Sequence, residues 1–204
     1  VTNDGGHSGL GGPLTDTGVV AITVDPVSDA PMGTDAAITI LEDTSRVLTA
    51  ADFGFTDPDD PSPDTLAAVV ISSLPALGSL RLGRVPVTEG QAISIADIDA
   101  GLLVFTPAAN AHGNAHASIG FQVQDDGDVA SGGANVDPTP NTLTIHVTPV
   151  NDPPENIVPS SVTVPEDVPS AITGISVADI DAGSGSITVT LSVPAGTLQA
   201  ASGG

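Results

Sequence analysis

The chain has 204 residues, with 25 acidic side chains against three basic ones (Arg46, Arg81, Arg84), no lysine, and a net charge of −22. That balance excludes nucleic acid and anionic membranes as partners, because phosphate neutralisation needs basic side chains. Zero cysteines exclude disulfides, thiolate metal sites and cysteine catalysis, and no apolar run approaches the ~18 residues of a membrane-spanning helix.

In chain order, the first strand pattern is predicted over 18–24, followed by further strands at 36–40, 67–73, 79–82 and 102–106. Ile119, Phe121 and Val123 then alternate with polar or small residues before the acidic turn Asp125-Asp126-Gly127. Over 142–147, Leu143, Ile145 and Val147 alternate with Thr142, Thr144 and His146. The last candidates are 161–164, 172–177 and 186–193, where Ile187, Val189, Leu191 and Val193 alternate with Thr and Ser. Period-two alternation puts one face of a strand in a core and the other in water. No stretch keeps a 3.6-residue period, and 18 prolines and 23 glycines punctuate the runs as turns. An acidic chain with 2% aromatics invites a disordered reading. The 40% apolar content in regular runs argues against it. The pattern predicts an all-β chain of Greek-key β-sandwich modules.

The chain also repeats itself. ITVDPVSDAP at 22–31 returns as IHVTPVNDPP at 145–154, placing Asp29 and Asp152 123 residues apart. A strand running into a Pro/Asp hinge, twice at domain spacing, implies an array of modules. The expected division is a closing part of one repeat at 1–28, a complete repeat at 29–150, and the opening part of a further repeat at 151–204.

Acidic residues gather at fixed places in that frame. Repeat two has Asp29 at its hinge, then Glu42-Asp43, then Asp57-Pro58-Asp59, and finally Asp125-Asp126-Gly127 before its last strand. Repeat three has Asn151-Asp152, Glu166-Asp167 and Asp179-Ile180-Asp181, while Asn3-Asp4-Gly5 marks the matching late position in repeat one. Turns at one end of a sandwich meet in space, and carboxylates gathered there repel unless a cation sits among them. Calcium, which takes six to eight oxygens from flexible turns, suits such a site. The competing reading is that Asp, Asn, Gly and Pro simply make turns, since Asx side chains bond their own backbone.

Hinges of the form V-N-D-x-P, an E-D pair, D-x-D, and D-x-G before a T-x-T-I-x-V strand resemble bacterial cadherin-like repeats, which fill large secreted RTX-type surface adhesins. The middle stretch LPALGSLRLGRVPVTEGQAISIADIDAGLLVFTPAANAHG, followed by FQVQDDGD, is similar to the proteoglycan-type subfamily. The resemblance implies calcium ions between repeats. Asp29, Asp57, Asp59 and Asp125 would serve the first junction. Asn151, Asp152, Asp179 and Asp181 would serve the second, with Glu42 an upstream contributor. This chain has fewer hinge acids than the family pattern, and Ser28 replaces the hinge asparagine, so fewer ions per junction are expected.

Ile95-Ala96-Asp97-Ile98-Asp99-Ala100-Gly101 nearly copies 177–183 but lies far from any hinge, and it reads as a structural turn. Gly132–Asp137 approaches a calcium-binding nonapeptide, which works only in stacked copies, so it reads as a loop. His112 and His116 are four residues apart with glycine between them, so they read as loop histidines rather than a helical zinc pair. His7 lies in a glycine-rich loop and His146 on a polar strand face. No serine sits in a nucleophile elbow, and a phosphate-binding loop of the Walker type needs a lysine. Paired carboxylates for glycoside hydrolysis require a sugar-binding cleft, hard to build without Trp or Tyr. The expectation is a non-catalytic, extracellular segment that is structural or adhesive. Its partners would be neighbouring repeats of the same chain, with surface polysaccharide or proteins as further possibilities. The alternative is a polysaccharide- or matrix-binding accessory module of an extracellular enzyme.

Overall fold

The computed structural model describes residues 2–3, 15–60 and 63–199. A short antiparallel pair, β1 (Thr2–Asn3) with β2 (Thr15–Asp16), comes first. The main body follows: β3 (Ala36–Leu41), β4 (Arg46–Val47), a 3-10 turn (Ala50–Phe53), β5 (Leu66–Ser73), β6 (Ser79–Leu82), β7 (Val85–Pro86), β8 (Ala92–Ser94), the one-turn helix α1 (Ile95–Asp99), β9 (Leu103–Thr106), β10 (Gly113–Asp125) and β11 (Asn141–Thr148). A last small pair joins β12 (Glu155–Ile157) to β13 (Ser176–Ala178).

The body is a β-sandwich. One sheet has the order β3-β11-β10-β5-β8, the other β4-β9-β6-β7. The chain crosses repeatedly between them, so each sheet feeds alternate side chains into one core. Ala117, Ile119, Phe121 and Val123 of β10, Leu143, Ile145 and Val147 of β11, and Val69 and Ile71 of β5 come from the first sheet. Leu80, Leu103 and Phe105 come from the second. Phe53, delivered by the 3-10 turn, meets Phe121 edge to face with ring centres 5.0 Å apart. With so few aromatics, branched aliphatics fill the remaining space, which suits a pleated surface.

One pairing is parallel. β3 and β11 run side by side from Ala36 opposite Leu143 to Leu41 opposite Thr148. The first and last strands of the sandwich therefore point the same way. The hinge before β3 lies at one end, which we call the entry end, and the hinge after β11 lies at the other, the exit end. β10 is antiparallel to β11 and β5 antiparallel to β10. The end of β10 and the start of β5 thus join the entry end, while the start of β10 joins the exit end.

The predicted strands 36–40, 67–73, 79–82, 102–106 and 142–147 all match strands in the sandwich, and 119–123 belongs to the longer β10. Several details differ. His116 lies within β10 rather than in a loop, and only His112 precedes the strand. The runs 18–24, 161–164 and 186–193 form no strand, and 172–177 contributes only part of β13. Their apolar residues stay exposed, Val19 at 96% and Ile22 at 84%, because these runs find no partner strand among the described residues. A strand patterned for a core needs partners on its hydrogen-bonding edges before that pattern can act. Asp97 is spent locally: its amide donates to Ser94 Oγ (3.1 Å) and its carboxylate accepts from the same hydroxyl (2.7 Å), capping α1.

The buried side chains lie almost entirely between Ile40 and Val147. Limited proteolysis is accordingly expected to leave one protected fragment with limits close to the hinges at 29 and 150. Mass spectrometry of the digest reads the limits, and equal protection of 151–199 would contradict this division.

Candidate cation sites at the two ends of the sandwich

At the entry end, four acidic residues converge. Asp57 follows the 3-10 turn, Asp60 lies three residues on, Asp64 precedes β5, and Asp125 closes β10. One carboxylate oxygen from each of Asp57, Asp64 and Asp125 falls within 4.8 Å of the others. The backbone holds them there. The Asp64 amide donates to Asp57 Oδ2 (2.7 Å) and the Gly127 amide to Asp125 Oδ1 (2.9 Å). The hinge arrives on top: Ser28 Oγ donates to Asp64 Oδ2 (3.2 Å) and the Asp29 amide to Asp60 Oδ1 (3.1 Å). Gly127 is required at its place, since a Cβ there would run into Ser28 Oγ and the Asp64 carboxylate.

The remaining oxygens set this cluster apart. Asp57, Asp60 and Asp125 are only 6%, 9% and 1% exposed, yet Asp57 Oδ1, Asp60 Oδ2 and Asp125 Oδ2 have no hydrogen-bond partner. Buried charged oxygens without donors carry a large desolvation penalty. Burial, and then the charges of Asp64 and Asp57, push the Asp125 carboxyl above its ordinary value despite the bond from Gly127. Neighbouring Asp126 behaves oppositely. Its bonds from the Thr65 amide (2.6 Å) and hydroxyl (3.0 Å) hold its carboxyl below the usual range.

The exit end is built on Glu42, 1% exposed at the end of β3. The parallel register brings the outgoing chain to it: the Glu42 amide donates to the Thr148 carbonyl (3.0 Å), and the Val150 amide donates to Glu42 Oε1 (2.7 Å). His112 Nδ1 lies 3.1 Å from Glu42 Oε2. The Val150 bond is the main reason the Glu42 carboxyl sits below its ordinary value, with His112 adding to it against the cost of burial. Beyond Glu42 the second hinge places Asp152, whose amide donates to Asp181 Oδ2. One oxygen each of Glu42, Asp152 and Asp181 falls within 4.8 Å of the others. Asp152 Oδ2 has no partner. Burial, then the charges of Asp181, Asp43, Glu42 and Asp179, raise the Asp152 carboxyl.

The residues predicted from sequence are distributed as follows. Glu42, Asp57, Asp125, Asp152 and Asp181 lie in the two clusters. Asp179 supports the second from behind, accepting the amides of Asp181 (3.0 Å) and Ala182 (3.2 Å). Asp29 is exposed and reaches the first cluster through its amide, whereas Asn151 is exposed and turns its side-chain amide to the Asp152 carbonyl (3.1 Å). Asp59 is exposed, and its neighbour Asp60 is the carboxylate that meets the hinge. Asp60 therefore stands to Asp29 as Asp181 stands to Asp152. Asp60 and Asp64 were not singled out from the sequence; the only signal for them was the density of the run Asp57-Pro58-Asp59-Asp60-Pro61-Ser62-Pro63-Asp64. The sequence reading of Gly132–Asp137 as a loop also missed that Asp137 is buried. Despite the cost of burial, its bonds from the Gly33 amide, Thr139 and Asn141 hold its carboxyl below the usual range. His7 and the Asp4-Gly5 part of the first acidic motif lie outside the described residues.

A two-sheet sandwich with acid-lined turns at both ends, entered and left through Pro/Asp hinges, defines a modular repeat domain. A cadherin-like family profile matches residues 31–147, more than half of the chain, and the protein belongs to that family. No curated protein and no solved structure matches the chain. Cadherin-like domains generally bind Ca²⁺ and are typically non-catalytic. No helix among the described residues is long and apolar enough to cross a membrane.

The raised and lowered carboxyls act in different pH windows. Asp125 and Asp152, raised above their ordinary 3.8, let the folded chain bind more protons than the unfolded one between that value and their folded values, so acidification through this window stabilises the fold. Glu42, Asp126 and Asp137, all lowered, contribute stability that is complete above their ordinary values and is lost as pH falls through their folded ones. In chelator, calorimetric Tm is expected to rise on mild acidification and then fall. Asp125→Asn, which keeps the acceptor for Gly127, should raise Tm at neutral pH and flatten the first limb. A lower Tm for this variant in chelator would show that the charge is already compensated by protein groups.

Proposed function

We propose that this chain is a calcium-stiffened structural or adhesive repeat segment of a large extracellular surface adhesin of the secreted RTX type, with no catalytic role. The observation that carries the reading is the set of donorless, buried carboxylate oxygens of Asp57, Asp60 and Asp125 at the entry end. Protein groups leave them uncompensated, and a hard divalent cation with oxygen ligands is the species that suits them. Asp64 lies within ligand distance of the same set, and Asp29 and Asp59 flank it in sequence. At the exit end Glu42, Asp152 and Asp181 would hold a second ion, supported by Asp179 and Asn151.

Bound there, calcium supplies positive charge between carboxylates that otherwise repel. Each cluster joins the body of a repeat to a hinge, through Ser28 and Asp29 at one end and Val150 and Asp152 at the other. Neutralising a cluster therefore stiffens the link between repeats as well as the repeat itself. With free calcium at one to ten times a Kd of ~10⁻⁴–10⁻³ M, linkage contributes roughly 0.4–1.4 kcal/mol per site. That is a useful share of a marginal stability of about 5–15 kcal/mol.

EGTA is expected to lower the Tm read by calorimetry and to loosen the hinges seen by small-angle scattering, with calcium restoring both. Asp57→Asn combined with Asp125→Asn should remove most of the entry-end calcium response. Asp60→Asn should reduce that response more than Asp59→Asn, and Asp97→Asn should leave it intact. Unchanged melting and scattering across chelation would overturn the calcium reading.

A further inference from the structure

All three cationic side chains of this polyanion lie on one sheet: Arg46 in β4, Arg81 in β6, and Arg84 in the two-residue turn between β6 and β7. Arg46 is neutralised by Asp52, with Nη2 3.4 Å from Oδ1. Arg81 and Arg84 are exposed, and neither has a carboxylate at ion-pair distance among the described residues. In a chain with 25 acidic residues, two guanidiniums on one hairpin without a carboxylate at ion-pair distance stand out.

The sheet around them is unusual for this molecule. None of the residues in β4, β6, β7 or β9 is acidic. Leu80 is buried, so Arg81 faces outward; Leu103 and Phe105 are buried, so Val104 does too. The register then lays one row across all four strands, with Val47 opposite Val104, Val104 opposite Arg81, and Arg81 opposite Pro86. Val47 is 44% exposed and Pro86 is exposed. Arg81 Nη1 donates to the Arg84 carbonyl (3.1 Å), which ties that guanidinium to its own hairpin and leaves its other donors without protein partners among the described residues. Gly83, at φ +60°, opens the tight turn that presents Arg84 at the tip.

We propose that this outward face recognises a carboxylate-bearing polysaccharide, with Arg81 and Arg84 pairing with uronate groups and the Val47–Val104–Pro86 row packing against the C–H faces of the sugar rings. The planar fork of arginine matches a carboxylate better than lysine does, and it is the only cation the chain uses. The face is a flat sheet rather than a cavity, which fits an extended polymer. An anionic membrane calls for clusters of about four to eight basic residues, and two are present here. A second copy of the chain brings a net charge of −22 with it. On a uronate polymer only the few rings over the two arginines lie within the ~8 Å over which physiological salt leaves fields unscreened, so its distant carboxylates add little repulsion. This recognition is ionic, so it needs neither the stacking aromatics the sequence lacks nor calcium.

The test is isothermal titration of the full chain with oligogalacturonate and, separately, with a neutral glucan oligosaccharide, both in EGTA so that calcium cannot bridge carboxylates. Binding of the uronate oligomer alone, weakening as salt is added, is expected. Arg81→Gln with Arg84→Gln, both at exposed positions, should weaken it about tenfold while leaving Tm unchanged. Failure of the native chain to bind, equal binding of both sugars, or equal affinity in the double variant would overturn the proposal. So would a finding that the two arginines are needed for self-association in sedimentation, or for binding to phosphatidylserine vesicles, but not for the uronate.

Discussion

The parallel pairing of β3 with β11 governs everything else about the ends of this molecule. Six residue pairs, from Ala36 with Leu143 to Leu41 with Thr148, make the chain enter the sandwich at one end and leave at the other. Parallel neighbours cannot be joined by a tight turn, so the whole of β4 to β10 is threaded between them. The antiparallel partners then follow by necessity. The ends of β10 and the start of β5 fall beside the incoming hinge, and the start of β10 falls beside the outgoing one. Residues as far apart as Ser28, Asp64 and Asp125, or Glu42, Val150 and Asp181, become neighbours through that one register.

The same geometry gives the two ends different electrostatics. Glu42 is almost wholly buried, but both of its oxygens have protein partners, Val150 and His112, and its carboxyl is held low. It behaves as a charged clasp that fixes where the exit hinge begins. At the entry end the buried carboxylates have each been given one donor and denied a second, and the carboxyl of Asp125 is pushed up. A buried charge with one oxygen satisfied and one not is positioned without being compensated. Such an arrangement is unfavourable while charged and unpaired, and either protonation or a counterion relieves it. In the second cluster Asp152 Oδ2 likewise has no partner, but Asp152 sits in the hinge itself and is less deeply buried.

Much of this could be read in the sequence, for identifiable reasons. Alternation identified β3, β5, β6, β9 and β11 because their core faces carry Val, Ile, Leu and Phe at every second position. It could not distinguish 186–193 from 142–147, although both alternate well. Alternation describes one face of a strand, while strand formation depends on partners at its edges, and those are non-local. The short strands β4, β7 and β8 escaped because two or three residues hold no period. The acidic motifs located both clusters, since hinge, Glu-Asp, Asp-x-Asp and Asp-x-Gly mark the turns of the fold. Which carboxylate of a dense run turns inward was beyond that reading. Asp59 and Asp60 are adjacent and chemically identical, and only the path of the loop aims one at the Asp29 amide. Asp64 was hidden for a related reason, because its importance comes from the start of β5 lying beside the end of β10.

The distribution of charge over the module follows from these constraints. Carboxylates are concentrated in the turns at the ends, where hinges and neighbours can compensate them. The strands of the four-stranded sheet carry none, and two uncompensated arginines face outward there. A uniformly acidic sandwich would repel along its whole length, and ions at its hinges would relieve only part of that strain. With the carboxylate repulsion placed at the ends, the hinge is where a change in ionic conditions would have leverage on shape, while the strands of the four-stranded sheet carry no carboxylate of their own. On the proposed reading, stiffness and surface recognition belong to separate parts of the same repeat. They are separable because strand registry, rather than sequence proximity, decides which residues share an end and which share a face.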